Sequence, residues 1–339
     1  MIPTPGSHQY IDRNSHQIIT EKLLGDKSVS FLYSTVRENA PAMFKALTSG
    51  RMSSLLSYYH YDFLDRRKPG NKQLFAKLNI DWRECLEPPS YYDTPRKVFE
   101  RQIKYWDVRP MSAVPSGIVS PADSRVLVGS FGEISELFIK EKFFTSEELL
   151  GSASRWHPRF TNGDFAVFRL TPDKYHYNHL PVSGRIADIY EVDGRYHSCN
   201  PSALISLTSL YAKNKRVVTI IDTDVQGGSG VGMVAMIEVV ALMIGEIVQA
   251  YSEERYHNPA PVTPGMFVRR GCPKSLYRPG SSTDILVFEP GRMAFSSDLI
   301  SNSRRSDVQS RFTNRVGRPL VETDIRVRST IGHRRLQEI

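Results

Sequence analysis

The chain has 339 residues, of which 40% are hydrophobic and 24% are charged, and it carries a net charge of +8. This composition is typical of an ordinary globular protein and excludes collagen-like and low-complexity chains. Its three cysteines are far apart, so they give neither a disulfide framework nor a metal-spaced pair and favour a reducing compartment. The first residues lack the basic-then-apolar pattern of a secretory leader, and none is expected.

The first 95 residues are predicted to form a helical N-terminal region. Residues 1–30 are polar and mixed, and we expect them to be loosely held. In 29–64 apolar residues recur at helical spacing, with interruptions near Pro41 and Gly50, which predicts two or three amphipathic helices. Such helices either pack on a core, which is the favoured alternative, or lie on a membrane surface. A proline-containing linker at 87–95 ends this region.

From residue 96 onward a short helix (96–106) is followed by strands and turns. The dipeptide Asp193-Gly194 predicts a hairpin. The apolar segment 231–248 carries two glutamates, so we interpret it as core and not as a membrane span. We expect an α+β fold, with N-terminal helices followed by a largely antiparallel β domain at 96–339. Strands are predicted at 125–128, 165–170, 186–191, 217–222, 267–270 and 285–288, and in pieces within 233–247.

Basic charge concentrates in the C-terminal segment. Residues 301–339 contain nine arginines against four acidic residues, which accounts for +5 of the net charge. Such a segment attracts anionic lipid, nucleic acid or an acidic protein, although a solvated basic surface explains it equally well. Phe312 stands alone among these arginines, so the interleaved aromatic residues of a nucleic-acid binder are missing. We therefore expect no nucleic-acid partner.

Two motifs resemble ligand sites but carry weak signals. The glycine-rich run 227–232 follows a predicted strand, yet it lacks the Gly-Lys-Ser/Thr sequence of a phosphate-binding loop. A wide hairpin turn is the better interpretation of this run. His176 and His179 are three residues apart, as in half of a metal site, but no third ligand follows at a telling spacing. We therefore expect no metal.

A hydroxyl-rich turn, Gly280-Ser281-Ser282-Thr283, precedes the last predicted strand. A serine in such a turn can attack the carbonyl of the preceding residue if a base removes its proton. Asp123, in a turn before one strand, and His176 and His179, after another, supply a carboxylate and two bases. The Gly-x-Ser-x-Gly elbow of hydrolases is absent, which disfavours a serine esterase.

On these residues the chain resembles the phosphatidylserine decarboxylase family of self-processing pyruvoyl enzymes, over about residues 96–332. The motifs that carry the resemblance are Phe99-Glu100-Arg101-Gln102 with Arg109-Pro110, Ser120-Pro121-Ala122-Asp123, Tyr175-His176-Tyr177-Asn178-His179-Leu180-Pro181-Val182-Ser183-Gly184, Asn214-Lys215-Arg216-Val217, Gly280-Ser281-Ser282-Thr283 and Val321-Glu322-Thr323.

The resemblance implies a carboxy-lyase that is made as a zymogen and cuts its own chain. His179, oriented by Asp123, would deprotonate the serine, which attacks the preceding carbonyl to form an ester. β-Elimination then cuts the chain into a large N-terminal and a small C-terminal piece, which stay together as a heterodimer. The serine becomes a covalent pyruvoyl cofactor, an electron sink for the loss of CO2 from an amine-bearing substrate, and His176 would serve that step.

The family pattern leaves the position of the cut open between two serines. Counting back six residues from Phe288, where the family places a strand phenylalanine, gives Ser282. Counting forward from Gly280 gives Ser281 instead. We favour Ser282 as the pyruvoyl precursor because the strand fixes the register behind the nucleophile.

The sequence departs from the family pattern at three places. Ser124 stands where glycine is usual, Pro273 and Ser275 replace an acidic residue and a glycine, and 306–317 resembles an insertion. None of these changes removes one of the implied catalytic groups.

The sequence is compatible with three functions. The first is decarboxylation of phosphatidylserine to phosphatidylethanolamine in phospholipid biosynthesis, with peripheral contact to an anionic membrane. The second is decarboxylation of a soluble amino acid, such as an aromatic one, by the same chemistry. The third is a non-catalytic relative that binds an anionic partner. Similarity of fold does not decide between these substrates. We expect a cytoplasmic or peripheral membrane location.

Overall fold

The computed structural model describes residues 7–335 except 24, 59–74, 77, 135–143, 208, 243–245, 280–281 and 317. The predicted helical residues 59–64 and the candidate nucleophile Ser281 lie outside the described residues. The helices are α1 (Asp26–Phe31), which continues through a π-helical turn (Leu32–Val36) into α2 (Arg37–Asn39), α3 (Pro41–Leu47), α4 (Gly50–Tyr58), a 3₁₀ turn (Trp82–Glu84), α5 (Pro95–Phe99), α6 (Tyr105–Val108), α7 (Phe131–Ile134), α8 (Ser146–Leu150), α9 (His157–Phe160), α10 (Pro201–Ser206), α11 (Leu210–Lys213), α12 (Ser297–Ser303) and α13 (Arg311–Val316).

The described strands form one large sheet and two small ones. The large sheet has the order β11-β7-β8-β9-β13-β5-β4-β15-β1-β2, and the small sheets have the orders β10-β12-β6 and β14-β16-β3. The strands are β1 (Gln9–Asp12), β2 (Ile18–Thr20), β3 (Gly117–Val119), β4 (Ser124–Ser130), β5 (Asp164–Leu170), β6 (Tyr177–His179), β7 (Gly184–Val192), β8 (Arg216–Asp222), β9 (Met233–Val239), β10 (Ile247–Gln249), β11 (Phe267–Val268), β12 (Pro273–Tyr277), β13 (Ser282–Phe288), β14 (Met293–Phe295), β15 (Thr323–Ile325) and β16 (Thr330–Arg334).

Strand β13 lies at the centre of the large sheet, paired antiparallel with β5 and β9. All seven of its residues are buried, because both faces of the sheet are covered. Ile285 and Val287 belong to the hydrophobic cluster on one face, and Leu286 and Phe288 belong to the cluster on the other. This alternation explains why a strand buried on both faces has the continuous apolar sequence from which it was predicted. The predicted α+β class is confirmed.

The N-terminal helices were predicted correctly where they are described, with breaks at Ala40–Pro41 and before Gly50. Tyr33 is fully buried in the core and packs edge-on against Phe44 at 5.2 Å between ring centroids. The favoured alternative of packing on a core is therefore confirmed for this part of the region. Other apolar side chains of the same helices face solvent.

The prediction that residues 1–30 are loosely held is wrong for two short segments. β1 pairs parallel with β15, and β2 pairs with β1, so both strands extend the large sheet. Glu21 then accepts hydrogen bonds from Arg169, and His8 lies 2.9 Å from Glu322, with all four side chains nearly inaccessible. The segment has few apolar residues because it is attached by backbone pairing and buried ion pairs.

The predicted hairpin at Asp193-Gly194 is also wrong. β7 does pair antiparallel with β8, but residues 193–215 between them include α10 and α11. Gly194 is required for close packing, since a Cβ there would lie 2.5 Å from the carbonyl carbon of Asn214. By contrast, the glycine-rich run 227–232 is confirmed as part of a wide hairpin loop, because Asp222 of β8 pairs with Met233 of β9.

The basic C-terminal segment is built into the fold. Phe312 is buried in the core, and the nearby Arg311 is buried in an ion pair with Asp26 at 2.8 Å. Arg305 pairs with Asp307. Both arginines are therefore paired with carboxylates of the same chain. Attraction of an anionic partner by this segment stays a prediction. Within the described part of the chain, no helix has the length and apolar character needed to cross a membrane.

Candidate active site

Ser282 is the first residue of β13, opposite Leu170 of β5. Its side chain is completely buried, and its hydroxyl oxygen has no hydrogen-bond partner among the described residues. Buried hydroxyl groups are normally satisfied, so an unpartnered one invites a chemical explanation. Gly280 and Ser281, just before it, lie outside the described residues, so the choice between the two serines stays a prediction.

The two histidines reach this region because their strand pairs with the strand that leads to the serine. β6 is antiparallel to β12, with His179 opposite Pro273 and Tyr177 opposite Leu276. At the other end of β12, the Tyr277 N–H donates to the His176 carbonyl at 3.1 Å. Tyr277, which contacts His176, is only five residues before Ser282 in the sequence.

His179 is fixed by hydrogen bonds at both ring nitrogens. Nδ1 lies 2.8 Å from the Gly271 carbonyl oxygen, and Nε2 lies 3.0 Å from the Tyr175 hydroxyl. Because a carbonyl only accepts, Nδ1 carries the proton and the neutral ring keeps its lone pair on Nε2. Burial lowers the pKa of His179 to about 3, so the ring is neutral at physiological pH. The neutral ring can therefore accept a proton only at Nε2, the nitrogen that faces the Tyr175 hydroxyl.

Two tyrosines extend the hydrogen-bond chain behind His179. The Tyr175 and Tyr256 hydroxyls are 2.7 Å apart, and Tyr256 donates to the Ile103 carbonyl at 2.9 Å. Burial raises the pKa of both phenols, so both are protonated at neutral pH. Tyr256 was not predicted to belong to the site, because 81 residues separate it from Tyr175. A tyrosine at that distance carries no motif that would have identified it.

Asp123 makes its hydrogen bonds to Arg109 and to the backbone of Val327. Arg109 donates to the carboxylate at 2.7 Å from Nη2, and the Val327 N–H donates at 2.8 Å. Burial alone would raise the pKa of Asp123, but the Arg109 guanidinium lowers it to about 2. Arg109 also pairs with Glu84 at 2.9 Å. Asp123 is therefore a buried carboxylate with a full set of donors.

The predicted action of Asp123 on His179 takes an indirect form in this arrangement. Both ring nitrogens of His179 are engaged by Gly271 and Tyr175 and not by the carboxylate. The two residues are nevertheless joined through the backbone, because the His179 N–H donates to the Pro121 carbonyl at 2.7 Å. The turn that carries Asp123 thus positions the histidine main chain. That Asp123 orients His179 for chemistry remains a prediction.

His176 has a different environment. Its ring stacks on Phe99, with 3.6 Å between centroids and an interplanar angle of 14°. Neither ring nitrogen has a hydrogen-bond partner of normal geometry among the described residues. Burial, aided by the charge of Arg101, holds the pKa of His176 well below its usual range. His176 is thus a neutral, fully buried imidazole.

A cluster of buried polar groups lies next to Ser282 and was missed by the sequence analysis. It consists of Asn178, Glu238, Lys274, Ser275 and Asp284, all fully buried. Asp284 is two positions from Ser282 in β13 and thus on the same face of the strand. The sequence did contain a signal for this cluster, because charged and polar residues interrupt strands that are otherwise apolar. These residues form a buried polar region that includes Asp284, two positions after Ser282.

The chain is similar to known proteins over most of its length. A family model described as phosphatidylserine decarboxylase matches residues 96–317. The chain is 30% identical over 303 residues to the phosphatidylserine decarboxylase proenzyme of Fusobacterium nucleatum subsp. nucleatum, covering 87% of this chain and 92% of that protein. Proenzymes of the same name from Chlamydia caviae and Clostridium tetani are 29% and 27% identical, with the same shares of 87% and 92% covered.

Proposed function

The chain belongs to the phosphatidylserine decarboxylase family and is a carboxy-lyase, and on that premise we propose that it cuts itself before Ser282 to make its own pyruvoyl cofactor. We further propose that the mature protein converts phosphatidylserine to phosphatidylethanolamine and CO2. One observation carries the proposal. The buried hydroxyl of Ser282, at the start of a central strand, has no hydrogen-bond partner among the described residues, and it follows the segment that pairs with the strand of the two histidines.

In the proposed self-cleavage His179 is the base, because its Nε2 lone pair is defined by the proton on Nδ1. It takes the proton of the Ser282 hydroxyl, whose oxygen bonds to the carbonyl carbon of Ser281. The amide C–N bond then breaks, leaving an ester and a free amine on residue 282. Loss of the Cα proton of residue 282 expels the ester oxygen with Ser281 as a new carboxylate terminus. Water finally replaces the nitrogen, which leaves as ammonia.

The residues around Ser282 fit the cofactor that this sequence of steps produces. When formed, the pyruvoyl ketone takes up the electron pair that remains as CO2 leaves the substrate. Ser282 is completely buried, so the surrounding strands exclude bulk water from that chemistry. His176, whose nitrogens are free of other described partners, is the proposed proton carrier for the decarboxylation step.

The described helices of the N-terminal region carry a surface suited to a membrane. Phe31 and Leu55 are 58% and 59% exposed, and each follows an exposed cation, Lys27 or Arg51, by four residues. Residues four apart lie on one face of a helix, so each face combines an apolar side chain with a positive charge. Met43, 50% exposed, adds to the apolar surface. Such helices bind at the interface of an anionic bilayer, which supports a lipid substrate.

The test is CO2 release by the mature protein from two substrates, phosphatidylserine in vesicles and free amino acids that include an aromatic one. We expect release from the vesicles and none from Ser282→Ala. Release from a free amino acid but not from phosphatidylserine would replace the lipid with a soluble substrate. If neither the wild type nor Ser282→Ala released CO2 from phosphatidylserine or from a free amino acid, the non-catalytic alternative would be favoured.

A further inference from the structure

Two carboxyl groups face each other beside the proposed cut. Glu238 of β9 is directly opposite Asp284 of β13, and both side chains are fully buried. Lys274 of β12 lies over them, with its ammonium 2.5 Å from Glu238. On its other side, Asp284 is opposite the apolar Phe168 of β5. Among the described elements that pack against these two carboxyl groups, β12 contributes the cation, Lys274.

The hydrogen bonds assign the negative charge of this pair to Glu238. Its oxygens accept from Lys274, from the Asn178 amide at 3.1 Å and from the Ser275 hydroxyl. Asp284 has only the Tyr277 hydroxyl, at 2.7 Å, and its Oδ2 has no hydrogen-bond partner among the described residues. A second buried negative charge without a cation would be costly. Asp284 is therefore the neutral member of the pair.

Tyr277 connects the two sides of the proposed cut. It belongs to the N-terminal piece, and its hydroxyl also lies 3.0 Å from the Thr283 carbonyl, in the C-terminal piece. The hydroxyl has one proton for two acceptors, Thr283 and Asp284. A protonated Asp284 can donate to the tyrosine oxygen and free the tyrosine proton for Thr283. Both bonds are satisfied only when Asp284 is neutral.

We propose that Tyr277 and Asp284 are positioning residues for self-cleavage, whose bridge across residues 278–282 holds Ser282 in place for attack. This inference rests on the proposed cut before Ser282. Thr283 follows the serine directly in β13, so the bond from Tyr277 to Thr283 fixes the residue next to the nucleophile. Small displacements of a nucleophile cost large factors in rate, of about a hundredfold for about 1 Å.

The bridge has a second consequence after the cut. Ser282 then becomes the end of a chain, and chain ends are the parts of a protein that fray most readily. Tyr277 binds the next two residues, Thr283 and Asp284, and so retains the new terminus beside His176, whose carbonyl accepts from the Tyr277 N–H.

The test follows cleavage of full-length precursor from cell-free translation, timed by intact mass. Tyr277→Phe and Asp284→Ala should slow cleavage at least tenfold. Asp284→Asn should stay within about threefold of the wild type, because the amide can also donate to the tyrosine oxygen. Tyr33→Phe is the matched control, since Tyr33 is an equally buried tyrosine whose hydroxyl accepts from the Ser198 N–H; its cleavage rate should be unchanged.

A pH profile separates positioning from mere support of the fold. Burial and the nearby Glu238 charge hold the pKa of Asp284 well above its usual range. Wild-type cleavage should therefore fall as pH rises through that pKa, and the profile of Asp284→Asn should lack this fall. If the wild type is cut but the two profiles coincide, or if Tyr277→Phe is cut at the wild-type rate, the inference is wrong and the proposed function survives. A wild-type precursor that is never cut contradicts the proposed function itself.

Discussion

At the scale of single residues, the two histidines of the site differ in what surrounds their ring nitrogens. His179 donates from Nδ1 to Gly271 and presents Nε2 to Tyr175, so its tautomer is set. His176 stacks on Phe99, and neither ring nitrogen has a hydrogen-bond partner of normal geometry among the described residues. The first environment suits a base that must act once on a defined proton. The second suits a group that meets a substrate entering later.

We predict that His179→Gln and His176→Gln separate the two stages of the proposed chemistry. His179→Gln removes the base and should slow self-cleavage by about a hundredfold or more. His176→Gln should leave cleavage within a few-fold of the wild type and lower CO2 release by about a hundredfold. His197→Gln is a control, because His197 is also buried but packs against Tyr33 and Phe44. Equal loss of cleavage in all three variants would contradict the assignment.

We also predict that Tyr175→Phe lowers the rate of cleavage by about tenfold without abolishing it. The variant removes the hydroxyl at Nε2 of His179 but keeps the bond from Nδ1 to Gly271. The ring thus loses one of two restraints on its orientation and keeps its tautomer. Timed intact-mass measurements would check this, and an unchanged rate would mean that Gly271 alone orients the ring.

At the scale of elements, the Asp123–Arg109 pair ties the residue after α6 to the turn before β4. Arg109 follows α6, Asp123 precedes β4, and the carboxylate also binds the backbone of Val327 just after β15. Glu84 at the end of the 3₁₀ turn joins through the same guanidinium. One buried ion pair therefore connects four parts of the chain, and the turn it fixes also binds the His179 backbone through Pro121.

We predict that Asp123→Asn lowers the free energy of unfolding by about 3 kcal/mol, because it removes the charge of the buried carboxylate that pairs with Arg109. The wild-type pair should also show in acid. The pKa of Asp123 is lowered to about 2 from 3.8, so the native state holds fewer protons than the unfolded state between these values. The stability it contributes, about 2 kcal/mol, is present above pH 4 and is lost as pH falls toward 2.

Denaturant unfolding of wild type and Asp123→Asn across this pH range would check the prediction. The difference between the two should shrink as pH falls from 4 to 2. A difference that stayed constant with pH would show that the carboxylate charge is not what stabilises this turn.

The sequence predicted the elements best where one physical signal dominated. The apolar run of β13 was recognised because burial on both faces requires it. β1 and β2 were missed because their attachment depends on partners such as Glu322, more than 300 residues away. Asp123 and His179 were identified by resemblance, whereas Tyr256 and Asp284 were not. Their roles depend on which strands become neighbours, and local periodicity does not encode that.

At the scale of the whole molecule, the proposed cut lies at the N-terminal end of a central strand. β13 would become the first element of the C-terminal piece while remaining paired with β5 and β9 of the N-terminal piece. β15 and β16 of the same piece pair with β4 and β3. Backbone pairing by three strands of the C-terminal piece, β13, β15 and β16, and a shared core would therefore hold the two pieces together after cleavage.

We predict that the cleaved chains co-elute as one species in native size exclusion and separate only in denaturant. The separation should coincide with global unfolding, because β13 cannot leave the sheet without exposing its buried residues to water. Dissociation in mild buffer, with either piece recovered folded, would contradict this view of the molecule.

We predict that the exposed apolar residues of the N-terminal helices contribute to membrane binding. Phe31→Ser combined with Leu55→Ser should weaken flotation with anionic vesicles at least tenfold, because two apolar side chains no longer enter the interface. Val114→Ser is the control, since Val114 is 55% exposed but lies between α6 and β3. Equal flotation of both variants would remove the support that this surface gives to a lipid substrate.

The most direct test of the central claim is the intact mass of the purified protein under denaturing conditions. We predict two chains, residues 1–281 and residues 282–339, with the second blocked at its N-terminus by a pyruvoyl group. Ser282→Ala should give one chain. A C-terminal chain that begins at Ser281 would move the cut by one residue. A single uncut chain of 339 residues from the wild type would contradict the account.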